Sequence, residues 1–151
     1  MDLQKITLKD IDRNPAIFSD IAEEAAKYIH PHQKRDRQGR LQHDRDGNPI
    51  YESHNKSTQL RKFYDELAMW DSKIHRPLNQ ESRQAEYDKA APFIHMLKAK
   101  VAYAKSREHV NEDFCKIFNR LITQINDPGT LHHAKLFFEA MLGFRKAAES
   151  K

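Results

Sequence analysis

Nine histidines are the first side chains in this 151-residue chain whose type and spacing point to chemistry. His30, His32 and the adjacent His43-Asp44 imitate the His and His-Asp ligands of helical metal phosphohydrolases. Such ligands must be held about 2 to 2.2 Å from the metal by helices and by the groups behind them. His43-Asp44 lies instead between arginines and Gly47-Asn48-Pro49, in a loop. An EF-hand frame on that loop, with Gly47 as its turn glycine, puts Gln42 first and Ser53 last, where a bidentate acid is required. His132 and His133 are helix neighbours, so their side chains diverge by about 100° and cannot face one metal as an i, i+4 pair would. They read as surface histidines. Cys115 has no histidine at a telling spacing and reads as a half-buried structural thiol. With no glycine-rich phosphate loop and no nucleophile elbow, the expectation is no catalytic residue, no metal site and no cofactor.

Anion binding is the better-supported chemistry. Asn55-Lys56-Ser57-Thr58 leads into a helix, where free backbone N–H groups and the positive end of the dipole attract phosphate and two hydroxyls add hydrogen bonds. A cation in a first turn opposes the dipole, so an anionic partner would compensate for Lys56; the alternative is that Lys56 precedes the helix and points to water. Arg61 and Lys62 follow, with Asp65 and Glu66 four residues on, so both pairs can equally be intrahelical ion pairs. Further along, Lys98 with Lys105 and Lys100 with Arg107 are each two helical turns apart, about 10.5 Å along an axis. These rows flank an apolar stripe, and Tyr103 between them can stack on a base or pack on a partner. The pattern is that of RNA or DNA binding, although ordinary solvated lysines look the same.

The elements that must position these residues are helices. Lys plus Arg number 26 against 22 Asp plus Glu, a net charge of +4; apolar residues make 38% and charged residues 32%, so the core is thin and the surface ionised. One domain is expected at this length. No stretch approaches the roughly 20 apolar residues of a membrane span, and MDLQKITLKD lacks the layout of a signal peptide. The lone Cys115 rules out an internal disulfide and suits a reducing cytosol, so a soluble cytoplasmic protein is expected. With 2 valines and 4 threonines against 15 alanines, 11 leucines and 15 lysines, the fold class is all-α.

Periodicity predicts a compact bundle of about five helices. The first opens at Asn14-Pro15, buries Ile17, Phe18, Ile21, Ala22, Ala25 and Tyr28, and closes at His30-Pro31. The second starts around residues 55–58, with Leu60, Phe63, Tyr64, Leu67, Trp70 and Ile74 on one face, and Pro77 marks its end. The third spans residues 82–107 and kinks or restarts at Pro92. The fourth groups Val110, Phe114, Ile117, Phe118, Leu121 and Ile125; the fifth, capped by Thr130, turns Ala134, Phe137, Phe138, Met141, Phe144 and Ala148 inward. Residues 31–54 break the pattern and read as a flexible loop or polar insert within a single helical domain of residues 1–151, with at most a weak hairpin between LQHD and IYES. No internal repeat at a fixed period is found. Residues 53–107 hold 11 basic and 6 acidic groups, so the basic excess sits on the second and third helices.

Three segments carry a resemblance: NKSTQLRKFYDELAMW at 55–70, FIHMLKAKVAYAKSRE at 93–108 and LFFEAMLGFRK at 136–146. In order and spacing they resemble the small subunit of the type III-A, Csm-type CRISPR effector complex, over residues 55–148. The resemblance implies a small helical protein without enzymatic activity, present in several copies along a ribonucleoprotein used in antiviral defence. Its implied partners are guide RNA and target RNA, the repeated backbone subunit, the large subunit and other copies of itself; RNA cleavage, DNA cleavage and cyclic oligoadenylate synthesis belong to those other subunits. No membrane is implied. The family's RNA-contacting region falls on Lys56, Ser57, Thr58, Arg61 and Lys62 and on Lys98, Lys100, Lys105 and Arg107. The departure is the polar stretch of residues 31–54, longer than the family's usual connection. Two other readings stand beside this one: a helical protein–protein adaptor without direct RNA contact, its basic rows meeting acidic partners, and the metal phosphohydrolase.

Overall fold

The computed structural model describes residues 1–149. After two single-turn 3-10 segments it comprises α1 Asp20–Ile29, α2 Ser57–His75, α3 Gln80–His95, α4 Leu97–Ser106, α5 Glu112–Gln124 and α6 Pro128–Glu149, with no strand longer than isolated bridges among the described residues. The all-α bundle is as expected, and the count rises to six because the third helix is broken in two. Pro92 has no N–H for the Asp88 carbonyl, yet the helix continues past it. The break falls one turn later at Met96, whose N–H still donates to Pro92 O at 3.1 Å.

Two helix starts differ from expectation. Asn14 does not cap α1, because its Nδ2 donates to Lys5 O and Thr7 O, both at 3.4 Å; residues 15–19 form turns and the helix begins at Asp20. Asp127, rather than Thr130, caps α6. Its Oδ1 accepts the Thr130 N–H at 2.7 Å, and Thr130 Oγ1 accepts the N–H groups of Asn126 and Asp127 at 2.9 and 3.1 Å. Proline then occupies the first helical position, where its missing N–H costs nothing.

The core is aromatic at its centre. Phe114 and Phe118, one turn apart on α5, stack at 5.7 Å, and both meet the edge of Phe138 from α6 at 5.9 Å. Phe63 from α2 closes the group at 5.7 and 5.1 Å. Such ring pairs add to the transfer free energy of their buried area. α1 lies along α6, α6 packs on α2, and α4 packs on α5. The N-terminal residues join this core: Ile6 and Leu8 are fully buried, with Arg120 Nε donating to Leu3 O and Ile6 O, and Gln124 bonding both Ile6 O and the Leu8 N–H.

Residues 32–52 form three short extended arms joined by two turns. The Gln42 N–H donates to Lys34 O at 2.9 Å, the Ile50 N–H to Gln42 O at 3.1 Å and the Lys34 N–H to Ile50 O at 2.6 Å, so the arms close a ring. The LQHD–IYES hairpin is one side of it. The turns Asp36-Arg37-Gln38-Gly39 and Asp44-Arg45-Asp46-Gly47 match: each Asp Oδ1 accepts backbone N–H groups two and four residues on. Each glycine has φ near +80°, which its missing side chain permits. A repeat of eight residues is therefore present, contrary to the sequence reading; only Asp, Arg and Gly are shared between its copies.

Removing the α6 cap by Asp127→Ala is expected to lower unfolding stability by about 1 kcal/mol, within the usual range of about 0.5 to 2. A lower urea midpoint at unchanged slope is the signature, and an unchanged midpoint would show that Thr130 caps alone.

Candidate nucleic-acid interface

The interface is organised around one residue with unusual backbone geometry. Asn55 is fully buried at φ +59°, a left-handed conformation that asparagine tolerates better than most side chains. Its N–H donates to His109 O at 2.9 Å, and its Oδ1 accepts the Asn111 N–H at 3.0 Å. Asn55 thus fastens the start of α2 to the link between α4 and α5. Lys56, Ser57 and Thr58 come to the end of the bundle where α4 delivers Lys105 and Arg107.

The start of α2 has the features of an anion site. Lys56 stands at the cap position with no side-chain cap bond, and the first turn contains no acid. The leading N–H groups of Ser57 and Thr58 therefore keep their partial charge, as free helix termini do. Lys56, Ser57, Thr58, Arg61 and Lys62 are all exposed. Ser57 has a second task, since its Oγ accepts from Arg145 Nη1 at 2.9 Å, leaving its own hydrogen to donate.

The four α4 positions are exposed as well, and they divide by partner. Lys100 Nζ meets Glu66 of α2 at 2.5 Å. Of the two intrahelical pairs that the sequence allows, Lys62–Glu66 does not form because Glu66 is turned to α4, and Arg61–Asp65 does not form either among the described residues. Lys105 pairs with Glu112; the hydrogen bond between them raises the Lys105 pKa and holds the Glu112 carboxyl below its usual range. Arg107 lies over the Tyr103 ring at 5.8 Å and donates to its hydroxyl at 3.2 Å, so the exposed tyrosine carries a stacked guanidinium. Lys56, Arg61, Lys62 and Lys98 make no ion pair among the described residues. A depression of about 410 Å³ continues the surface past α4, between Lys105, Glu108, Asn111 and Glu112 on one side and Lys34, Glu52 and His54 on the other.

The histidines serve the fold. His132 and His133 are half-buried rather than on the surface. Their divergence sends the His132 Nδ1–H to the Asp71 carboxylate at 3.0 Å and the His133 Nδ1–H to Leu8 O at 2.6 Å. His75 Nδ1–H bonds the Asp71 backbone O at 2.9 Å and lies 3.1 Å from its Oδ1. His43 approaches the Gln33 amide at 3.4 Å, His30 bonds Pro31 O, and no cluster of three metal-ligating residues occurs among the described residues. Cys115 is buried, and burial pushes its thiol pKa up.

Arg145 is not singled out by the sequence, yet the site rests on it. It is 4% exposed, and besides Ser57 it donates to Ile29 O at 3.3 Å and to Asn55 O at 2.6 Å. Glu149 pairs with it at 2.9 Å. Burial lowers its pKa, and Glu149 offsets part of that effect. The signal is present in the spacing: Phe137, Met141 and Arg145 lie four apart, so the inward row ends on Arg145, while Phe144 is only half-buried.

Among known protein families, the one described as Csm2 Type III-A matches residues 42–151. No curated protein and no solved structure matches the chain. The matched stretch begins at the second arm of the insert and includes α2 through α6.

Replacing Arg145 by lysine keeps the charge but loses the planar fork, which leaves buried carbonyls without a donor. A loss of about 1 to 3 kcal/mol is expected for Arg145→Lys and about 3 to 5 for Arg145→Ala, measured by urea unfolding. Faster amide exchange at Asn111 in the lysine variant would show that the Asn55 tether loosens with it.

Proposed function

Since the chain belongs to the Csm2 Type III-A family, we propose that it is the non-catalytic small subunit of the type III-A CRISPR effector complex, acting in the cytoplasm in antiviral defence. In this role it binds guide and target RNA through their backbones and stands beside the backbone subunit, the large subunit and other copies of itself. The observation that carries the reading is the Asn55 tether, which sets the anion-binding start of α2 beside the basic end of α4.

The chemistry suits a guide-programmed complex, which must accept any sequence. Phosphates and 2′-hydroxyls carry no base identity, and Lys, Arg, Ser and Thr side chains with helix N–H groups recognise both. Lys56, Arg61, Lys62 and Lys98 are available at once. Lys100 and Lys105 exchange Glu66 and Glu112 for phosphate; ion pairs between exposed side chains are weak in water and present little barrier. Specificity stays with base pairing.

The adaptor reading draws on a different surface. Phe93 stacks on Trp70 at 6.3 Å yet remains 54% exposed, and Met69 and Met96 are close to half exposed nearby in sequence. Aromatic and methionine side chains of this kind suit protein contacts, so this face is assigned to neighbouring subunits.

Binding of unrelated single-stranded RNAs across a salt series tests the proposal. Similar affinity for all sequences and a linear fall of log K with log salt are expected. The double change Lys56→Ala, Arg61→Ala is expected to flatten the slope by about 1.4, since each phosphate left without its cation removes about 0.7 from it. Assembly of the complex that withstands both RNA removal and this double change would favour the adaptor.

A further inference from the structure

The insert between α1 and α2 is the largest feature that the proposed interface leaves unused, and its basic side chains fall into two groups. Arg40 pairs with Asp36 at 3.0 Å, and Arg35 Nη1 donates to Gly39 O at 2.7 Å, so these two hold the first turn. Lys34, Arg37 and Arg45 are exposed and make no ion pair or side-chain hydrogen bond among the described residues. Arg37 and Arg45 each stand directly after the aspartate of a matched turn, so the two tips present a guanidinium from the same backbone position.

The two aspartates that open the turns are occupied. Asp36 Oδ1 accepts the N–H groups of Gln38 and Arg40, and Asp44 Oδ1 accepts those of Asp46 and Asn48. These bonds, with the Arg40 pair, hold the Asp36 carboxyl below its usual range. Asp44 and Asp46 are both exposed in the second turn, and the Asp46 carboxylate makes no bond among the described residues; Gln38 takes the place of Asp46 in the first turn. Glu52 lies on the third arm, with Oε2 2.8 Å from His54 Nε2. Lys34 lines the same depression as Lys105, together with Glu52, Glu108 and Glu112, so the unpaired positive charge of the insert is concentrated at the tips rather than in the depression.

From this arrangement we infer that the insert is a second RNA-backbone contact, in which Arg37 and Arg45 at the two turn tips, with Lys34 at their base, extend the basic track beyond α4. The inference rests on the proposed RNA-binding function. Guanidinium groups form forked bonds with phosphate oxygens, and a hydrogen-bonded ring that fixes the two backbone positions carrying them leaves only side-chain freedom to be lost on contact. The contact reads no bases, as the function requires.

The test compares three forms of the full chain: the unaltered protein, Lys56→Ala with Arg61→Ala, and Arg37→Gln with Arg45→Gln. Each is titrated with unrelated single-stranded RNAs of increasing length over a salt series. The tip variant is expected to keep the urea midpoint of the unaltered protein, since its side chains bond nothing. It is also expected to flatten the salt slope by about 1.4 and to gain less affinity from added RNA length than the unaltered protein does. Unchanged slope and affinity in the tip variant, with the α2 variant impaired, would overturn the inference while leaving the function standing. Absence of RNA binding by the unaltered protein and by its assembled complex would overturn both. Unchanged RNA binding with impaired assembly of the tip variant would give the tips to an acidic protein surface and overturn the RNA assignment.

Discussion

A single buried cation holds the interface in place. Arg145 donates to the last carbonyl of α1, to the carbonyl of the left-handed Asn55 and to the Ser57 hydroxyl at the start of α2, while Glu149 balances its charge. The first two acceptors are the feet of the insert, on either side of residues 30–54. Helix ends leave carbonyls without partners, and a chain excursion that begins at one helix end and finishes at another helix start gathers such groups. A planar fork meets acceptors in several directions at once, which a single ammonium does not, and this is the physical reason for arginine here. Fixing both feet on α6 lets Asn55 fix α2 against the α4–α5 link. The geometry of the surface is thus set from within the core.

Much of the fold is legible in the sequence because helices write their burial locally. Leu60, Phe63, Leu67 and Ile74 on α2, and Phe114, Phe118, Leu121 and Ile122 on α5, are buried at the spacing that a 3.6-residue period demands. The misreadings occur where distant groups decide. Asn14 looks like a cap, but the nearby carbonyls of Lys5 and Thr7 take its side chain. Ile6 and Leu8 sit in a short polar string with no useful period; they are buried because Arg120, Gln124 and His133, all from the far end of the chain, satisfy the backbone around them. The matched turns of the insert share three residue types in eight, too few to stand out until the carboxylate-to-backbone bonds show that those three do the same work.

The interface divides in a similar way. That residues 56–58 enter a helix with free N–H groups follows from residue types, and so does the exposure of nine polar side chains. Which cation is paired does not follow. Glu66 is as close in sequence to Lys62 as helix rules require, yet it reaches Lys100 on another helix. Lys105 finds Glu112 across a link whose path is set by Asn55 and Asn111. The role of Asn55 itself is out of reach of the sequence, since full burial and a left-handed backbone are properties of the folded link. Arg145 is within reach, because the four-residue row points to it, but its apolar neighbour Phe144 is the residue that hydrophobicity alone turns inward.

The mixture of free and paired cations has a physical consequence for what such a surface retains. Glu66 and Glu112 hold Lys100 and Lys105 in exposed ion pairs, which are weak in water and give way when a phosphate replaces a carboxylate. Each such replacement exchanges one anion for another and by itself gains little. The free cations Lys56, Arg61, Lys62 and Lys98 provide the gain, because a polyanion that covers several of them releases a condensed counterion at every contact. A lone nucleotide meets one or two of these groups and releases almost nothing, whereas a continuous strand meets them together. On the proposed function, discrimination in favour of long nucleic acid arises from the spacing of modest contacts along α2 and α4.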